Sequence, residues 1–216
     1  MMFKDLMVPY VNPLQPVPTS AQTMNNLRSP IRAIIFDVYG TLFISASGDI
    51  RKATANPDQK STINALLAKY KISLNYTQLN ELLVNAIESV HADSKKKGID
   101  FPEIKIEQIF MHVLSLNDME IARQFAVEYE MIVNPAYPMP HLRNTLQHLK
   151  TNNIPMGIIS NAQFFTPHLF DLFCNDFPEN LGFNPNLIFY SYEHGYAKPS
   201  FFLFEQAAAE LNRLGI

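Results

Sequence analysis

Thirteen residues, Ile31 to Phe43 (IRAIIFDVYGTLF), constrain this chain more than any other stretch. Ala33, Ile34, Ile35 and Phe36 form an apolar run rich in β-branched and aromatic residues. The run has no polar alternation, so it reads as a strand buried on both faces. It ends at Asp37. A carboxylate at the carboxyl end of a buried parallel strand faces the crevice where open α/β sheets bind ligands. Gly40 and Thr41 let the chain turn tightly just beyond it. A plainer alternative is an aspartate that only caps a strand-to-helix turn.

At 216 residues, 47% hydrophobic and 17% charged, the chain can bury a core and carry a smaller insert. A formal net charge of -3 without a long basic run gives no surface for nucleic acid or an anionic membrane, and leaves room for a small anion held locally. The single Cys174 cannot close an intramolecular disulfide, and no Cys/His spacing resembles a zinc site. No apolar run reaches the length of a membrane span, and no signal-type core opens the sequence, so a cytoplasmic protein is expected. Residues 1–30 hold five of the fifteen prolines (Pro9, Pro13, Pro16, Pro18, Pro30), which argues against a helix and for an extended arm. With Met7, Val8, Tyr10, Val11 and Leu14, that arm is expected to lie along the body or along a neighbouring subunit of a homo-oligomer.

After the opening strand, Ile44 to Arg51 is small and polar, suited to a mobile connection. The period then becomes helical. Ile63, Leu66, Leu67 and Tyr70 mark one amphipathic helix; Leu79, Leu82, Leu83, Ala86, Ile87 and Val90 mark a second. Lys95, Lys96 and Lys97 follow, best read as a solvated C-terminus stopped by Gly98. A third helix is expected from Pro102, and a fourth from Asn117 with Glu120 completing a capping box. No strand pattern appears between Ser45 and Tyr137. The α/β alternation resumes with a helix opening at Pro140, a strand Pro155 to Ser160, and a helix capped by Thr166 before Pro167. A strand Leu187 to Ser191 and a closing helix Pro199 to Leu214, with Phe201, Phe204, Ala208 and Leu211 on one stripe, complete the chain as given. Six histidines show no close metal-ligand pairing; His194, four residues before Lys198, lies nearest the motifs. No G-x-S-x-G or G-x-G-x-x-G is present.

The D-x-x-G-T-L spelling from Asp37, Ser160 with Asn161 at a second strand tip, and Lys198 in HGYAKP together resemble the three first motifs of the haloacid dehalogenase superfamily. The resemblance runs from Arg32 to Leu214. It implies that Asp37 attacks and forms a covalent aspartyl intermediate, that Ser160 binds an oxygen of the group under attack, and that Lys198 neutralises charge. The helical insert looks like the cap that one subclass carries at this point, closing over the aspartate and supplying substrate-reading side chains.

Two departures follow from the comparison. Phosphatases of the family place a second aspartate two residues after the nucleophile as general acid and base, where this chain has Tyr39, a poor base at neutral pH. Members resembling 2-haloacid dehalogenases carry tyrosine there, since a halide leaves without a proton. Yet the cap arginine those enzymes use is replaced near that place by Lys69, and their tyrosine six residues after the lysine by Phe204. The family's fourth motif, an acidic pair on a further strand that holds Mg²⁺, is also not found after the last helix. Without that strand, Ala33 to Phe36 would be a sheet edge. A natural chain longer than this one, cover from another protomer or the arm, and a silent protein of the same fold would each account for this.

The expected fold is α/β: a Rossmann-like parallel sheet core over residues 31–45 and 138–216, an all-helical cap domain insert over 46–137, and the arm over 1–30. The expected function is a hydrolase acting on a small phosphorylated metabolite with Mg²⁺. Its catalytic residues would be Asp37, Thr41, Ser160 and Lys198, with Tyr39 and Asn161 on the substrate and Asp37 on the metal. Dehalogenation and a catalytically silent binder stand as alternatives.

Overall fold

A computed structural model describes residues 3–20, 30–46 and 56–216. The chain opens with α1 (Phe3–Met7) and a 3-10 turn (Val8–Tyr10), then β1 (Ile34–Phe36) and β2 (Phe43–Ser45). Four helices follow: α2 (Pro57–Lys69), α3 (Tyr76–Lys96), α4 (Ile106–Val113) and α5 (Met119–Val133). The remainder runs β3 (Ala136–Pro138), α6 (Leu142–Thr151), β4 (Met156–Ser160), α7 (Thr166–Cys174), β5 (Phe183–Tyr190), α8 (Ser191–His194) and α9 (Phe202–Arg213). Among the described residues no helix is long and apolar enough to cross a membrane.

The fold is α/β with a parallel sheet of order β1-β4-β5. Ile34 pairs with Met156 and Phe36 with Ile158, while Ile158 pairs with Ile188 and Ser160 with Tyr190. All five residues of β4 are buried, as a central strand requires. Gly157 makes the close approach feasible, since a Cβ there would lie 2.6 Å from both Ile35 Cδ1 and the Leu187 carbonyl. Leu203 and Ala207 of α9 cover one face with Ile159, Leu187 and Phe189, and Leu169 and Phe170 of α7 pack into the core on the other. Among the described residues β1 is an edge, and Ile34, Ile35 and Phe36 are only partly buried rather than covered on both faces.

β2 and β3 form a separate antiparallel pair, Phe43 facing Pro138 and Ser45 facing Ala136. The expectation of no strand between Ser45 and Tyr137 is corrected at its far end, where β3 begins at Ala136. Three residues containing a proline are too short to show period-2 alternation, and the pairing comes from the two chain segments meeting. Most of the connection read from Ile44 to Arg51 lies outside the described residues.

The first residues also depart from an extended arm. α1 ends before the first proline, and Pro9 occupies the opening of the 3-10 turn, where its missing N–H goes unused. Leu6 and Met7 are buried, Lys4 Nζ reaches Asp171 Oδ1 on α7 at 3.2 Å, and Tyr10 donates to Glu128 on α5 at 2.8 Å. Only residues 11–20 run without regular structure.

Several boundaries move by a residue or more. The cap of α5 is Asp118, accepting from the Glu120 N–H, rather than Asn117. Thr166 is the first residue of α7 rather than its cap, and α6 starts after a left-handed His141. On α9 the buried stripe is Leu203 and Ala207, with Phe202 and Leu211 alongside. Phe201 and Phe204 are 77% and 45% exposed, because the helix begins at Phe202 and the i, i+4, i+8 row runs from Leu203.

Candidate active site

The turn after β1 sets the position of Asp37. The Val38 carbonyl accepts from the N–H groups of Thr41, Leu42 and Phe43, and Gly40 N–H donates to Phe43. Gly40 sits at φ +81°, a backbone conformation that side chains with a Cβ rarely adopt. The chain therefore folds back at once and leaves the aspartate at the carboxyl edge of the sheet, beside Ser160 at the tip of β4.

Three donors converge on a single carboxylate oxygen. Asp37 Oδ1 accepts from Val38 N–H at 2.8 Å and Ser160 Oγ at 2.9 Å, and pairs with Lys198 Nζ at 2.8 Å. Lys198 Nζ also donates to the Ile159 carbonyl at 3.3 Å, which fixes the ammonium between two strand ends. Among the described residues no hydrogen bond reaches Asp37 Oδ2. The Asp37 side chain is 40% exposed and that of Lys198 23%. Charge-assisted bonds on Oδ1 thus orient the carboxylate and leave its other oxygen open to solvent or substrate.

Asn161 holds the lysine rather than open space. Its Oδ1 accepts from Lys198 N–H at 2.6 Å and its Nδ2 donates to the Lys198 carbonyl at 3.2 Å, so both ends of the amide are used. Thr41 lies on the exposed turn, and among the described residues its hydroxyl bonds to none of Asp37, Ser160 or Lys198. Tyr39 points elsewhere: its hydroxyl and Thr166 Oγ1 are 3.0 Å apart. Burial, then the nearby Glu130 carboxylate, push the phenol well above its ordinary range, so it stays protonated.

A cavity of about 300 Å³ opens beside this cluster. Lys198, Asn161, Tyr39, Gln163, His91 and Glu130 are among its lining residues. One wall is the segment before α4, which is laced to the lysine loop: Ala197 N–H donates to Phe101, Glu103 N–H donates to Gly195, and Ser191 Oγ donates to Glu103 Oε2 at 2.7 Å. Gln163 adds a bond from Nε2 to the Ile104 carbonyl and accepts from Ile106 N–H. Lys95 of α3 also lines the cavity instead of standing wholly in solvent.

Glu103, Gln163 and Glu130 are not legible as site residues in the sequence. The one available signal was an acid inside an apolar stretch, since α5 is buried on all sides from Phe125 to Val133. Its two acids differ. Glu128 is saturated by Tyr10, Tyr70 and Lys69, the last at 2.6 Å, so Lys69 is engaged there. Glu130 Oε1 accepts from Asn134 Nδ2 at 2.9 Å, while Oε2 is buried with no hydrogen-bond partner among the described residues. Burial raises the Glu130 carboxyl from 4.5 to about 7, against the opposing pull of Asn134. His194 packs its ring near Phe189 and Phe202.

For Mg²⁺, expected at Asp37, the donor set does not fit. Asp37 contributes one carboxylate whose Oδ1 already faces an ammonium, and among the described residues no group of three His, Cys, Asp or Glu side chains could hold a metal ion. A near-octahedral cation needs more anionic oxygen than that.

The model of the haloacid dehalogenase-like hydrolases matches residues 31–215. A search of curated proteins gives no match. Among solved structures, a HAD-superfamily hydrolase of subfamily IA, variant 1, from Geobacter sulfurreducens is similar at 17% identity and a TM-score of 0.38, over 86% of this chain and 73% of that one.

Proposed function

The chain belongs to the haloacid dehalogenase-like hydrolases, and on that premise we propose that it hydrolyses a small phosphorylated metabolite with Asp37 as nucleophile. The observation that carries the reading is the asymmetric carboxylate: three donors on Oδ1 and none on Oδ2 among the described residues. Oδ2 attacks phosphorus, the bond from phosphorus to the alcohol oxygen breaks, and the alcohol leaves with a proton from water. A second water then splits the aspartyl phosphate, returning the carboxylate and releasing inorganic phosphate and a proton. Lys198 and Ser160 stabilise the anionic oxygens around the reacting centre, and Asn161 keeps the lysine in place. Family members typically use Mg²⁺; in this reading no step runs through it, and charge neutralisation by the chain's own residues falls to Lys198. Helices α2 to α5 act as the cap, and a lone cysteine is in keeping with a cytoplasmic setting.

A second reading, displacement of halide from a 2-haloacid, is favoured by Tyr39, because the phenol is held protonated on Thr166 and serves no leaving alcohol as a base. A panel of phosphate esters and 2-haloacids assayed with the full chain and with Asp37→Asn tests both. Loss of turnover on the order of 10³-fold or more in the variant supports the nucleophile. Phosphate release unchanged by the substitution overturns it, halide release alone selects the second reading, and an inert full chain selects a silent binder.

A further inference from the structure

Glu103 belongs to the segment before α4, yet most of its carboxylate bonding is directed at the loops of the sheet. One bond is local, from Ile104 N–H to Oε1 at 2.9 Å, as expected of an acid that only orders its own loop. The others leave the segment. Gln163 Nε2 donates to Oε1 at 3.3 Å and Ser191 Oγ to Oε2 at 2.7 Å, across 60 and 88 residues of sequence. Ser191 is fully buried and passes the contact on: while its proton goes to Glu103, its oxygen accepts from Ala162 N–H at 2.9 Å. Gln163 returns the hold, its Nε2 also donating to the Ile104 carbonyl and its Oε1 accepting from Ile106 N–H. Ala162 and Gln163 directly follow Asn161, whose amide brackets the Lys198 backbone at both ends. A second path runs along the backbone, from Glu103 N–H to the carbonyl of Gly195 at 3.0 Å, on the same loop as Lys198.

We propose that Glu103 is a positioning residue for Lys198: through Ser191 and Gln163 its carboxylate sets the 161–163 loop that brackets the lysine, so the ammonium is aligned on Asp37 while the segment before α4 is docked. The inference rests on the reading of Asp37 and Lys198 as the reacting site and adds to it a residue carried by the helical layer. Three donors on one half-buried carboxylate are charge-assisted bonds, stronger than neutral ones. Truncating the group takes the acceptor from the Ser191 hydroxyl, which turns instead to the Ala162 carbonyl at 3.2 Å and no longer ties that loop to the segment before α4.

The test follows backbone amide hydrogen exchange by NMR on the full chain, where the amides of Ala197 and Lys198, bonded to Phe101 and Asn161, report on the lysine loop. Glu103→Ala speeds exchange at these amides by on the order of tenfold, the worth of one hydrogen bond, and leaves the amides of α6 unchanged. Glu103→Gln keeps an oxygen for Ile104 and Gln163 and lets Ser191 accept from its amide nitrogen, so it stays closer to the parent. Ser191→Ala cuts the relay without touching Glu103 and reproduces the local rise, which carries the comparison if Glu103→Ala fails to fold. The two substitutions together give less than the product of their separate effects, as residues in one network do. On the phosphate ester that the parent turns over fastest, Glu103→Ala lowers kcat by on the order of tenfold with KM little changed, the pattern of an interaction made in the transition state. Unchanged exchange at Lys198, a rise shared equally by α6, or a change in KM alone overturns the proposal. A parent inert on every phosphate ester overturns the phosphoryl reading instead, and the exchange comparison then supports or overturns the positioning of Lys198 by itself.

Discussion

Glu130→Gln is expected to stabilise the protein at alkaline pH and to do nothing in acid. In the folded chain burial pushes the carboxyl up from 4.5 to about 7, so between those values the native state holds a proton that the unfolded state has released. Stability from this group is fully present below pH 4.5 and is lost as the pH rises through about 7. At about 1.4 kcal/mol per pH unit, the interval amounts to about 3 kcal/mol. Glutamine keeps the acceptor for Asn134 Nδ2 and has nothing to ionise. The variant should therefore match the parent at the acid end, gain steadily across the interval, and hold a constant advantage of about 3 kcal/mol above it. Urea unfolding at a series of pH values, with equal m-values for the two proteins, measures the difference directly. Parallel stability curves, with a gap independent of pH, would refute the claim that this carboxyl is neutral in the native state.

Three further outcomes follow from the packing and the site. Phe43→Ala removes a fully buried ring set edge-on to Phe170 at 5.0 Å, and chemical denaturation should register a loss of about 3–5 kcal/mol. Gly157→Ala forces a Cβ against Ile35 and the Leu187 carbonyl at the centre of the sheet, so it should destabilise by at least about 1–3 kcal/mol in the same assay. Asn161→Ala frees both backbone ends of Lys198, and kcat/KM should fall on the order of 10- to 100-fold in steady-state kinetics, less than for loss of Asp37 itself.

The three side chains that meet at the sheet edge were legible because each follows an apolar run or opens a helix. Parallel pairing of Phe36 with Ile158 then brings Asp37 and Ser160 side by side. What the alternation of hydrophobic residues cannot carry is phase near a helix start. Phe201 and Phe204 look like core residues until the helix is seen to begin at Phe202. A helix as short as α1 has little stability of its own, and it forms where Leu6 and Met7 find a surface, so proline counting over thirty residues misjudged the first eight of those described. Glu130 was hidden for the opposite reason. In a helix buried all round, no face sets one acid apart from the other, and only the bonding of Glu128 against the unpartnered oxygen of Glu130 among the described residues tells them apart.

The short N-terminal helix and its turn have a mechanical consequence. Lys4 grips α7 beside the sheet, while Tyr10 grips α5 in the helical layer above, so the two halves of the molecule are buttoned together from outside. On the far side the backbone of Phe101 and Glu103 is stitched to the loop bearing Lys198. A wide swing of the helices away from the sheet has to undo one of these fastenings, and the second also steadies the loop that carries the ammonium. The integrity of the cavity wall is thereby tied to that of the site: loosening the stitch also slackens the hold on Lys198.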